Sequence, residues 1–126
     1  MNQISIPGTT ITSPNYPNSY ENNIDCVVAL RFPAGSTVLI EFDQQYEIES
    51  HDSCNYDYIE VRDGPSVDSN LIGNERLCGS TAPEPIQSTG NTMTLIFHTD
   101  GSFTKTGFKI VANPGKYEHL DIQQQN

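Results

Sequence analysis

Apolar and polar positions alternate along three short stretches of the chain. In Val38-Leu39-Ile40-Glu41-Phe42 the apolar set Val38, Ile40 and Phe42 falls on every second residue. In Asp57-Tyr58-Ile59-Glu60-Val61-Arg62 it is Ile59 and Val61 that face inward, with Tyr58, Glu60 and Arg62 outward. In Thr92-Met93-Thr94-Leu95-Ile96-Phe97-His98 the inward set is Met93, Leu95 and Phe97. Side chains on a strand alternate between two faces, so each pattern predicts a strand with one buried face. Thr9–Ser13, Cys26–Phe32 and Gly107–Val111 are rich in Thr, Val, Ile, Leu and Phe and predict three more strands. Turn signals punctuate these blocks at Pro7-Gly8, Pro14-Asn15, Pro33-Ala34-Gly35, Asp63-Gly64-Pro65, Gly90-Asn91 and Asp100-Gly101. No segment carries a sustained helical stripe. The rhythm predicts an all-β sandwich or barrel. Asn113 to Asn126 is polar, ends in Gln123-Gln124-Gln125-Asn126, and reads as a tail or linker after a domain spanning 1–112.

Composition narrows the function. The chain has 126 residues, enough for one domain with one core. Its formal net charge is -10 and its mean hydropathy is -0.48. Excess acid disfavours nucleic acid and anionic membranes, which need basic patches, and favours cations or Lys/Arg-rich surfaces as partners. No run is long enough to span a bilayer, and Met1-Asn2-Gln3 lacks the basic and apolar regions of a secretory leader.

Catalytic signatures are missing. There is no Gly-x-Ser-x-Gly elbow and no phosphate-binding glycine loop, and His51, His98 and His119 are scattered. Asp63 to Glu75 superficially resembles a calcium loop, but Pro65 stands where the third position needs an oxygen ligand. More suggestive is acid gathered at predicted loops: Glu47, Glu49 and Asp52 before Cys54, Asp57 at the start of a strand, and Asp100 at the end of another. Loops at one end of a sandwich converge. Carboxylates brought together there repel, and a hard cation relieves that repulsion. Oxygen ligands without Cys or His select calcium or magnesium over zinc. The solvated-loop alternative stays open at this point.

Several longer motifs occur in order: Ile11-Thr12-Ser13-Pro14-Asn15-Tyr16-Pro17-Asn18-Ser19-Tyr20, then Cys54-Asn55-Tyr56-Asp57-Tyr58-Ile59-Glu60-Val61-Arg62-Asp63-Gly64, Leu77-Cys78-Gly79, Ser88-Thr89-Gly90-Asn91 and Thr106-Gly107-Phe108. As an ordered set over about residues 4 to 112, they resemble the CUB domain family. The resemblance implies an antiparallel two-sheet β-sandwich of jelly-roll type in a secreted or cell-surface protein. It implies a non-catalytic module that can be appended to a protease.

The family's calcium pattern has a Glu eight residues before an Asp and a second Asp in a later loop, matched here by Glu49, Asp57 and Asp100. The resemblance also implies that Tyr20, which matches a family tyrosine, orients these acids and that the later loop adds oxygens at Ser102 and Phe103. In the family the ordered acids also capture a Lys or Arg from a protein partner, so Glu49, Asp57 and Asp100 are the expected contacts. A calcium ion that only orders the loops is the plainer alternative. A glycan is the alternative ligand, with Tyr16, Tyr46, Tyr56 and Tyr58 as candidate ring surfaces.

The cysteines depart from the family pattern. Cys54 and Cys78 match its second disulfide. Cys26 matches one member of the first, whose partner either precedes this sequence or is lost, so Cys26 is expected to be a free thiol. Val28 stands where the family often has tryptophan.

Overall fold

In the computed structural model, which describes residues 2–116, the alternating segments form two four-stranded sheets. The strands are β1 (Asn2–Ile4), β2 (Thr9–Thr12), β3 (Asp25–Arg31), β4 (Thr37–Phe42), β5 (Tyr58–Arg62), β6 (Ile86–Gln87), β7 (Thr92–His98) and β8 (Lys109–Gly115). Among the described residues the only helical element is a 3-10 turn, Ile72–Asn74. One sheet runs β1-β3-β7-β5 and the other β2-β8-β4-β6.

Register decides which face each side chain takes. Cys26 pairs with Phe97 and Phe97 with Ile59; one step along, Val28 pairs with Leu95 and Leu95 with Val61. In the other sheet Ile110 pairs with both Ile11 and Phe42, and Ile40 with Ala112. These rows are the inner faces. Val38, Ile40, Met93 and Ile110 are wholly buried, and Val28 packs against the same core in place of a larger ring. At roughly 1.5–3 kcal/mol for each large aliphatic side chain buried, this cluster is the main source of the fold's stability.

Four details differ from the sequence expectation. Pairing is antiparallel except for β1, which runs parallel to β3. The strands β1 and β6, of three and two residues, were not expected, because segments this short show no periodicity. The last strand starts at Lys109, not Gly107, and continues to Gly115, past the expected boundary at 112. Pairing with β4, Thr37 with Gly115 and Val38 with Pro114, holds these residues in the sheet. Residues 117–126 of the expected tail, with His119, lie outside the described residues. Finally, Glu60 faces outward as expected but is buried, under Arg62 and Arg76.

Candidate functional site

The end of the sandwich where β5 begins and β7 ends gathers three carboxylates. Asp57 immediately precedes β5, Asp100 follows β7, and Glu49 lies on the segment between β4 and β5. That segment is clamped at several points. Ile48 and Gly79 exchange two backbone hydrogen bonds of 2.9 Å, Glu47 and Gly107 pair likewise, and Ile59 pairs with Leu77. Cys54 and Cys78 are disulfide-bonded, with Cα atoms 5.6 Å apart. The bridge closes the loop from Cys54 to Cys78, which carries Asp57, and adds about 3 kcal/mol of stability in the chain-entropy model.

Beneath the acids lies Tyr20, 1% exposed. Its ring meets Phe97 edge to face at 5.1 Å. Its hydroxyl donates to Asp57 Oδ2 at 2.6 Å and accepts the Glu49 N–H at 3.2 Å. One phenol therefore positions two of the three acids. Burial, and then the bond to Asp57, hold this phenol far above its usual pKa, so it stays a donor. Gly107, which pairs with Glu47 beside this ring, has no room for a side chain: a Cβ there would overlap Ser13 Oγ at 1.8 Å, and its φ of +90° favours glycine.

Asp57 Oδ1 accepts the Asp100 N–H at 2.9 Å, which draws the β7 end onto the β5 start. The Asn23 N–H bonds the Asp100 carbonyl at 2.8 Å, and the Thr99 hydroxyl donates to the Glu21 carbonyl at 2.8 Å. The loop before β3 thus braces the same end.

One carboxylate oxygen from each of Glu49, Asp57 and Asp100 lies within 4.8 Å of the other two. Asp57 is fully buried and Glu49 is 7% exposed. Glu49 Oε1 is buried with no hydrogen-bond partner. Burial raises the Glu49 pKa, helped by the charges of Asp100 and Asp57 and opposed by Lys105. Asp57 is raised too: burial and the charge of Asp100 outweigh the stabilising bonds from Tyr20 and the Asp100 N–H. Like charges held this close, with one oxygen unpartnered, form an incomplete electrostatic arrangement.

Of the other expected residues, Ser102 reaches the group through its N–H, which donates to Asp100 Oδ1 at 3.2 Å. Phe103 is exposed and, with Ile48, Glu49, Ser50, Gly79 and Lys105, lines a cavity of about 320 Å³ beside Glu49. Glu47 also borders this cavity, while Asp52 is exposed. Lys105 was not singled out from the sequence. A lone lysine between two threonines carries no motif; only the fold brings it beside Glu49.

A larger cleft, about 820 Å³, lies elsewhere, between β2 and β3, with Ile11, Val28 and Phe108 in its walls. It gathers no chemistry comparable to the acids. Cys26 borders it as a free, half-buried thiol. Burial, then the charge of Asp25, raise its pKa and make it a poor nucleophile. Among the four tyrosines considered for glycans, Tyr46 is buried, and the Tyr58 ring is stacked with His98 and covered by Arg76 at 4.0 Å. Tyr56, next to His51, stays exposed, and Tyr16 is half-buried.

The chain matches the sequence profile of the CUB domain over residues 2–111. It is 50% identical over 99 residues to a bone morphogenetic protein 1 homolog of Strongylocentrotus purpuratus, covering 79% of this chain but 15% of that protein. In structure it is similar to the human MASP-1/3 CUB1-EGF-CUB2 domain, with a TM-score of 0.79 and 30% identity over 90% of this chain and 42% of that one. It is also similar to the MASP-1 CUB2 domain bound to Ca2+, with a TM-score of 0.77 and 31% identity over 89% of this chain and 96% of that one. Among the described residues no helix is long and apolar enough to cross a membrane. CUB domains are extracellular, non-catalytic protein-interaction modules, appended to proteases in proteins of the BMP1/tolloid and MASP-1 types. By profile, sequence identity and jelly-roll sandwich, this chain belongs to the CUB domain family.

Proposed function

We propose that Glu49, Asp57 and Asp100 bind one calcium ion, with oxygens of Ser102 and Phe103 completing the set, and that the ordered acids capture a Lys or Arg side chain of a protein partner. The observation that carries the reading is the buried, unpartnered Glu49 Oε1 within a carboxylate trio. A hard divalent cation satisfies such an oxygen and removes the mutual repulsion at once. The donor set is all oxygen, which favours calcium over softer metals. The calcium named with the similar MASP-1 CUB2 domain supports the same choice.

Each residue has a distinct task in this scheme. Tyr20 holds Asp57 and the Glu49 main chain before anything binds. Asp57 ties the two loops together through the Asp100 N–H. Carboxylates that already share a cation have their charge partly neutralised, so each captured basic side chain contributes little, and affinity accumulates over several modules. A chain of net charge -10 attracts basic partners and repels acidic ones. The glycan alternative is weakened by the burial of Tyr46 and the covered ring of Tyr58.

Thermal unfolding in millimolar calcium and in chelator, on wild type and Asp57→Ala, tests the metal site. Calcium at about ten times its dissociation constant stabilises by roughly 1.4 kcal/mol, or about 3–6 °C in Tm. The shift is expected in wild type and absent in Asp57→Ala. No shift in either protein refutes the calcium assignment. Calcium-dependent retention on a polylysine surface then separates capture from loop ordering alone, since ordering alone gives none.

A further inference from the structure

At the rim of the acidic site, Phe103 is 73% exposed, and its backbone has φ +59°. Bulky side chains rarely adopt this left-handed conformation, and exposing a phenyl ring forgoes the stabilisation of burying it. Among the described residues, the other exposed large apolar side chains, Ile6, Tyr56 and Val67, do not border the cavity of about 320 Å³ beside Glu49. Phe103 does, together with Ile48, Lys105 and Glu49, whose buried Oε1 is unpartnered. One of the three acids and an exposed ring therefore line one small cavity.

We infer that the polypeptide partner presents its basic residue next to an apolar one, and that the apolar side chain packs on Phe103 over this cavity. The inference rests on the capture of a basic residue proposed above and adds a second specificity element to it. The acids supply attraction that is long-ranged and indifferent to neighbouring sequence. The ring supplies contact that is short-ranged and depends on the residue beside the captured one. A lysine flanked by glycine meets only the first; a lysine flanked by leucine meets both.

Two synthetic tetrapeptide amides, acetyl-Gly-Leu-Lys-Gly and acetyl-Gly-Gly-Lys-Gly, titrated into isotope-labelled protein in millimolar calcium and followed by NMR, test this. The leucine peptide is expected to bind about five- to tenfold more tightly, the gain from covering part of one leucine. That ratio should fall towards one in Phe103→Ser and survive in Phe103→Leu. Because it compares two peptides on one protein, it is insensitive to altered calcium affinity in the variants. Equal binding of both peptides to wild type, or an undiminished ratio in Phe103→Ser, overturns the inference and leaves capture standing. Failure of both peptides to bind overturns capture and the inference together.

Discussion

Glu49 and Glu60 are each 7% exposed, yet their surroundings are opposite. Glu60 lies on the outer face of the β1-β3-β7-β5 sheet, and both its oxygens are taken: Oε1 by Arg62 at 2.7 Å and Oε2 by Arg76 at 2.9 Å. Burial alone would raise its pKa, but the hydrogen bonds and charges of the two arginines together lower it. Glu49 has acids for neighbours, one unpartnered oxygen and a raised pKa. The first carboxylate is complete within the chain. The second is not. Burial of an acid alone therefore does not point to a ligand site; burial without an internal ion pair is the observation on which the proposed calcium site rests.

The largest expected effect comes from breaking the completed member of the pair. Glu60→Ala leaves Arg62 and Arg76 without their carboxylate, beside an Arg62 Nε that is already buried and unpartnered. Both arginines are partly exposed, so the cost is below that of a fully buried pair, about 2 kcal/mol or about 4–9 °C in Tm. Differential scanning calorimetry should show this loss equally with calcium and with chelator. A calcium-dependent loss would mean that the two regions are coupled.

Charge removal without truncation sharpens the contrast. Glu60→Gln is expected to lower Tm, because the arginines lose their counter-charge. Glu49→Gln in chelator is expected to raise Tm by about 2–4 °C, because a like charge leaves a repulsive group, while the calcium-induced rise disappears. If Glu49→Gln destabilises the metal-free protein, the repulsion described here is not what governs this end.

Acid titration of the metal-free protein reads the same difference through pH. Glu49 and Asp57 have folded pKa values raised above 4.5 and 3.8, so the folded state binds more protons than the unfolded one. Their contribution is most favourable below those values and is lost as pH rises through the folded pKa values. Glu60 has the opposite sign: its stabilisation is present above 4.5 and lost as pH falls through its lowered folded value. In chelator, Tm is therefore expected to rise as pH is lowered from 7 towards 5. In saturating calcium the trend should flatten or reverse, since protons then compete with the metal. Tm measured against pH in both buffers checks the crossing.

The sequence carried unequal amounts of this picture. The inner faces of β4, β5 and β7 were legible because alternation with period two has one reading when one face is buried. The free Cys26, the Cys54–Cys78 bridge and the convergence of Glu49, Asp57 and Asp100 followed from family motifs, and the carboxylate spacing agrees with them. What stayed hidden depends on long-range placement. Arg76 is sixteen positions from Glu60 and covers both that acid and the Tyr58 ring, so Tyr58 could not be discounted as a sugar platform beforehand. Pairing with β4, not local propensity, decides that Asn113, Pro114 and Gly115 belong to β8.

The smallest expected effect concerns Lys105, the one charge that opposes the raised pKa of Glu49. It is half-buried, borders the cavity beside Glu49 and makes no ion pair among the described residues. Its carbonyl accepts the Tyr20 N–H at 3.0 Å, so the same tyrosine that places Asp57 also fixes the lysine's main chain. In the metal-free protein Lys105 partly offsets the acids; towards a divalent cation it is repulsive. Lys105→Met keeps the length of the stem and removes the charge, so calcium affinity should rise by about threefold at low ionic strength. Calorimetric titration at low salt and again in 0.5 M KCl separates charge from packing. A charge effect acting across several ångströms shrinks as the Debye length falls. A gain that persists unchanged in high salt would instead place the role of Lys105 in the shape of the cavity wall, which it forms together with Phe103.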